Sequence, residues 1–207
     1  MELHSRVIEP KSGQPTSVAI FLHGRGSDEE DLLPLAPLMG SEARVYSIRA
    51  PIPFGPGWAW YGIGRDGSAN LEQWRASVEA LEGFVAALPA DNQKALPLVV
   101  MGFSQGGMMA GALAIRRRRE GLAAVISLSA PPLPEVPETG TLDGLPVFWG
   151  HGTEDPVVIP ERGEEALRLL QRAGARVTAH RYPISHTISE GEIADIQRWL
   201  REIHVNY

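Results

Sequence analysis

The sequence predicts an α/β fold with a mostly parallel central sheet and helices on both faces. Three observations predict it. Short apolar, β-branched runs alternate with longer amphipathic stretches, the pattern of strand–helix–strand units. The runs LVVMG (98–102), AVIS (124–127) and PVFW (146–149) are apolar throughout, as strands covered on both faces are. No internal repeat or low-complexity linker divides the 207 residues, so the chain reads as a single domain, 1–207, large enough to bury a substantial core.

The strands come in order. Leu3–Ile8 reads as an edge strand. Ser17–Leu22 (SVAIFL) and Arg44–Ile48 (RVYSI) are compact and β-branched, and Arg176–Tyr182 (RVTAHRY) alternates as a strand near an edge does. Between them lie the helices. Asp28–Met39 starts acidic, which suits the positive pole of a helix, but Pro34 and Pro37 should break it into short pieces. Ser68–Leu88 has helical spacing and stops before Pro89. Ser104–Arg119 opens with glycines and closes with four arginines. Glu161–Ala173 runs to Gly174, a candidate αL stop, and Ser189–Ile203 begins with Ser189 and Glu192 at capping-box spacing. Two loops stand apart. Ala50–Gly67 is rich in Gly, Pro and aromatics, and Ala130–Leu145 is too short and Pro-rich to form a substantial cap. Loops at the carboxyl ends of parallel strands are where such folds place their sites.

Bulk properties exclude several functions. The net charge of -6 and pI near 5.5 argue against nucleic-acid binding. The absence of cysteine removes disulfides, a thiolate nucleophile and cysteine-ligated zinc. No histidine pair has metal-ligand spacing, so no metal site is expected. The N-terminus has no signal-like apolar region and no run approaches membrane-spanning length, so a cytoplasmic location without membrane insertion is expected. The Arg116–Arg119 run reads as a solvated helix end beside the negative pole of its macrodipole.

The chemistry centres on Gly102-Phe103-Ser104-Gln105-Gly106. It fits G-x-S-x-G, with an apolar strand before and an Ala/Met-rich helix after, the setting of a nucleophile elbow. Met108 and Met109, on that helix, read as core. A serine hydroxyl needs a base. Of the six histidines, His4 and His204 lie near the termini. His180 sits in a strand pattern, while His23 and His151 precede glycines and read as loop-shaping. His186 follows the last strand and completes the order serine, acid, histidine. The acid should follow the Pro146–Trp149 strand, and by position both Glu154 and Asp155 qualify. One oxyanion donor should be the backbone N–H of Gln105. The second, Arg25 N–H, should come from the Gly-rich loop HGRGSD after the Ser17–Leu22 strand. Trp58, Trp60 and Tyr61 read equally as loop anchors or as acyl-pocket walls, the pocket being formed by that loop together with Val157–Ile159.

Together FLHGRGSDEEDL, MGFSQGGMMA, WGHGTEDPVV and ISHTIS resemble the phospholipase/carboxylesterase family of small α/β-hydrolases, from about Ser17 onward. The resemblance implies an α/β-hydrolase fold and a Ser104–Asp155–His186 triad, so it selects Asp155 over Glu154. It also places the oxyanion donors at Arg25 and Gln105. Arg25 departs from the small or apolar residue common there, and Ser185 from the glycine that often precedes the histidine. The expected activity is hydrolysis of short- to medium-chain carboxylic esters, small molecules, without a cofactor. Thioester and lysophospholipid hydrolysis, or a non-catalytic ligand-binding module, are the alternatives, and a homodimer is a further expectation.

Overall fold

The computed structural model describes residues 3–88, 96–117, 121–135 and 141–203. Arg118, Arg119 and His204 lie outside the described residues, as does the middle of the Ala130–Leu145 loop. Among the described residues nine strands form: β1 (Ser5–Ile8), β2 (Ser17–Leu22), β3 (Ala43–Ile48), β4 (Ile52–Phe54), β5 (Gly57–Ala59), β6 (Leu98–Phe103), β7 (Leu122–Leu128), β8 (Pro146–Gly152) and β9 (Arg176–Tyr182). Seven of them make one sheet in the order β1-β3-β2-β6-β7-β8-β9. β1 runs antiparallel on one edge and every other pairing in that sheet is parallel.

Among the described residues four α-helices accompany the sheet: α1 (Leu71–Ala86), α2 (Gln105–Arg117), α3 (Pro160–Arg172) and α4 (Glu190–Glu202). Alternation along β2 separates two apolar layers. Val18, Ile20 and Leu22 face a core shared with Leu81 of α1, Leu113 of α2 and Leu170 of α3. Ala19 and Phe21 face the opposite layer, closed by Met39 and by Ile196, Trp199 and Leu200 of α4. Each side chain thus leaves water on the face its parity dictates. Met108 and Met109 are buried in the first layer.

Element ends follow local chemistry. The helix expected from Asp28 is reduced to a 3₁₀ segment, Leu33–Met39, because Pro34 and Pro37 lack the N–H groups an α-helix needs. α1 starts at Leu71 and not at Ser68, because Asn70 is the N-cap and accepts the Gln73 N–H through its side chain. α3 ends in a Schellman turn: Gly174 has φ 91°, and the Ala175 N–H donates to the Leu170 carbonyl. Ser189 caps α4 by accepting the Glu192 N–H. Among the described residues no helix or strand stands between β7 and β8. The loop from Ala50 is not wholly irregular, since β4 and β5 form a small antiparallel hairpin in it, turned at Gly55 with φ 59°.

Candidate active site

Strand order reverses direction between β2 and β6, because the chain leaves β2 for β3 on one side and resumes at β6 on the other. Crevices at the carboxyl ends of such neighbouring strands are where open α/β sheets hold ligands. Here β2 delivers the loop His23–Ser27 and β6 delivers Ser104.

Ser104 has φ 55°, one of two non-glycine residues in the left-handed region among those described. That conformation is costly for an L-residue and persists only when its surroundings impose it. The surroundings are tight. The Ser104 N–H donates to the Leu128 carbonyl of β7 at 2.8 Å, and its carbonyl accepts from Met108 of α2. A Cβ on Gly106 would lie 1.8 Å from the Leu22 carbonyl oxygen, so α2 can start here only with glycine at that position. The other left-handed residue is Ser129, at the end of β7, whose N–H donates to the Gly150 carbonyl.

Asp155 is buried, with its side chain fully removed from solvent. Its Oδ1 accepts the N–H groups of Val157 and Val158, at 2.8 and 2.9 Å. Its Oδ2 accepts from His186 Nδ1 at 2.7 Å. Glu154, the positional alternative, is exposed and its backbone N–H ties to Ile184. The His186 ring is mostly covered and packs on Phe103 with ring centroids 4.7 Å apart, so the imidazole stands beside the residue that precedes Ser104. A Cβ on Gly152 would meet the Ile184 and Ser185 carbonyls at 2.3 and 2.6 Å, so the end of β8 presses directly on the loop carrying His186.

The Gly-rich loop lies against the elbow: a Cβ on Gly24 would be 3.5 Å from the Ser104 Cβ and 3.1 Å from the Phe103 ring. His23 is buried and spends both ring nitrogens on backbone. Nε2 accepts the Ala50 N–H at 3.0 Å, so the proton is on Nδ1, which donates to the Gly24 carbonyl at 2.7 Å. Burial holds the His23 pKa below the ordinary histidine value, which keeps that neutral tautomer. Gln105 is buried and heads α2, so its backbone N–H is among the helix's unshared donors. Its side chain joins the elbow to the aromatic loop: Oε1 accepts the Trp60 N–H and Nε2 donates to the Tyr61 carbonyl, both at 3.0 Å.

Those bonds place the aromatic candidates. Trp60 is fully buried, with its indole N–H donating to the His23 carbonyl, and Tyr61 is nearly so. Both belong to the core beneath the site and neither presents a ring face to solvent. Trp58 is half-buried under the Arg49 guanidinium, and Val157 and Ile159 are exposed. Among the other histidines, His151 donates from Nε2 to the Val158 carbonyl at 2.8 Å, bracing the turn that cradles Asp155. His180 stacks on Phe148 and approaches Asp195. Sequence reasoning gave no role to Phe54, Phe103, the Gln105 side chain or Ser129, and only the adjacency of Phe103 to the motif serine signalled any of them. No group of three or more potential metal ligands occurs among the described residues, and no described helix is long and apolar enough to cross a membrane.

Fold and site together define a hydrolase of the α/β-hydrolase class, with its serine on a strand–helix elbow. Residues 3–204 match the model of the phospholipase/carboxylesterase family. Acyl-protein thioesterase 1 of Cryptococcus neoformans is 28% identical, the match covering 94% of this chain and 95% of that protein. The carboxylesterase of Bacillus cereus superposes with a TM-score of 0.84 at 26% identity, covering 97% of this chain and 94% of that one. Esterase PE8 gives a TM-score of 0.83 at 28% identity, covering 98% and 100%. The chain belongs to the phospholipase/carboxylesterase family and is a serine ester hydrolase.

Proposed function

We propose that the chain is a carboxylesterase acting on short- to medium-chain esters through Ser104, His186 and Asp155. The observation that carries this reading is the Asp155–His186 bond at 2.7 Å, held against the elbow by the Phe103 contact. With its Nδ1–H donated to Asp155, the imidazole has a free Nε2 lone pair for the Ser104 proton. The serine oxygen attacks the ester carbonyl, and the oxyanion is met by the backbone N–H groups of Arg25 and Gln105. Collapse breaks the C–O bond, and His186 returns its proton to the departing alcohol. Water then repeats the sequence on the acyl-serine, releasing the acid and restoring Ser104.

Trp58 and Val157 are the candidate rim of the acyl pocket, with Trp60 and Tyr61 as its buried backing. The likeness to a protein named acyl-protein thioesterase 1 favours thioesters as the second reading. A series of p-nitrophenyl esters with matched thioesters separates the two, and a fluorophosphonate probe tests the nucleophile. Labelling that survives Ser104→Ala would refute the mechanism. A cytoplasmic location belongs to the same proposal.

A further inference from the structure

Arg25 is exposed, on the loop that flanks Ser104. Its surroundings are acidic, with Asp28, Glu29, Glu30 and Asp31 following at once. Yet the nearby ion pairs go elsewhere: Glu29 bonds Arg49 and Glu30 bonds Arg6. Among the described residues no carboxylate pairs with Arg25. Its guanidinium carbon instead lies 3.9 Å from the centroid of the Phe54 ring. The Tyr61 phenol is near enough to feel its charge.

This geometry prepares a cation. Stacking on an aromatic ring occupies the face of a guanidinium and leaves its N–H edges open, and those edges match a carboxylate in a two-pronged bond. The platform is also fixed. The Gly26 N–H donates to the Trp58 carbonyl at 2.7 Å and the Trp58 N–H returns to the Ser27 carbonyl at 2.9 Å, so the hairpin bearing Phe54 and the loop bearing Arg25 move as one. A pre-ordered arginine loses less side-chain freedom when a ligand binds.

We propose that the Arg25 side chain recognises an anionic group on the substrate itself, and that the preferred esters carry a carboxylate a few bonds from the scissile carbonyl. The inference rests on the esterase reading for the position of that carbonyl. The residue would then act twice, its backbone N–H facing the oxyanion and its guanidinium selecting the substrate. The carboxylate can belong to the acyl part, as in a half-ester of glutaric acid, or to the alcohol.

Two substrate pairs decide the source. One compares mono(4-nitrophenyl) glutarate with 4-nitrophenyl butyrate; the other compares 4-acetoxybenzoate with phenyl acetate. The readout is the anionic-to-neutral ratio of kcat/KM, in which any loss shared through the oxyanion site cancels. The expected result is a ratio above one for at least one pair. It should fall about tenfold in Arg25→Met, survive in part in Arg25→Lys, and weaken in high salt, where charge attraction is screened. A ratio that Arg25→Met leaves unchanged in both pairs overturns the proposal. Glutarate binding to Ser104→Ala protein, followed by calorimetry, reads the anion site without turnover. Arg25→Met in that background should raise Kd about tenfold, and absent or unaltered glutarate binding overturns the proposal. Ser104-independent turnover with intact glutarate binding would instead sink the esterase mechanism alone.

Discussion

The His23 ring donates its Nδ1 proton to the carbonyl of Gly24 at 2.7 Å, and this bond fixes the peptide joining Gly24 to Arg25. No described peptide is cis, so the Arg25 N–H points opposite to that carbonyl. On the proposed mechanism, this buried side chain aims an oxyanion donor. His23→Ala frees the peptide to rotate and strands the Ala50 N–H. Losing one oxyanion donor costs about 10²–10³ in kcat. We expect a fall in kcat approaching that range with KM little changed, and a stability loss of about 1–3 kcal/mol from the unpartnered backbone groups. A raised KM with kcat unchanged would show a binding defect instead.

Ser104→Ala and His186→Ala should each lower kcat by roughly 10⁴–10⁶, because members of such a set act as a unit. Ser104 adds a stability signature. Its φ of 55° suits glycine, so Ser104→Gly should unfold at a higher temperature than Ser104→Ala, by about 1 kcal/mol in free energy. Thermal melts of the two inactive variants check this without any assay.

The neighbours Glu154 and Asp155 should behave oppositely. Asp155→Asn misorients the imidazole and is expected to cost about 10⁴ in kcat. Glu154→Gln changes an exposed group and should alter kcat by about twofold or less.

Glu192 gives a pH prediction. It is buried, its Oε1 has no hydrogen-bond partner, and burial raises its pKa to about 7, against the support that the Ser189 backbone N–H gives its charged form. The folded protein therefore holds this proton where the unfolded chain has released it. Stability from this group is complete below the unfolded value near 4.5 and is lost as pH climbs to about 7, a change of ~3 kcal/mol at most. Glu192→Gln, which stays neutral, should flatten that decline in a denaturant series run from pH 4 to 8. An unchanged slope would show that Glu192 is charged in the fold.

The Ala130–Leu145 loop is short and Pro-rich, so ordinary saturation kinetics are expected. Crossing the solubility limit of a long-chain triglyceride should bring no jump in rate. A burst of activity on emulsion would reveal a cover over the serine.

The five inner strands of the main sheet were legible because strands buried on both faces are runs of apolar residues, and such runs need no partner to be recognised. β1 and β9 lie at the edges, mostly exposed or half-buried, and β9 was legible from its alternation instead. The β4–β5 hairpin was not, because Pro53, Gly55, Pro56 and Gly57 carry the turn chemistry and mask the three-residue strands. Ser104 and His186 stood out as candidates from motif and chain order. Spacing could not separate Asp155 from Glu154, since the difference is which of two adjacent side chains points inward. The roles of His23 and the Gln105 amide depend on Ala50, Trp60 and Tyr61, partners 27, 45 and 44 residues away. Aromatic residues in an aperiodic loop likewise give no sign of which side faces the core, so Trp60 and Tyr61 read as walls or anchors alike.

The close approach of Gly152 to the Ile184 and Ser185 carbonyls has a consequence for biosynthesis. Ser104 and the Gly-rich loop are synthesised well before His186, and the loop carrying His186 follows β9, an edge strand that pairs with β8. On the proposed mechanism a nascent chain therefore carries its serine without its base. Reactivity would then arise with the β8–β9 pairing, when the rest of the sheet is already available to hold it.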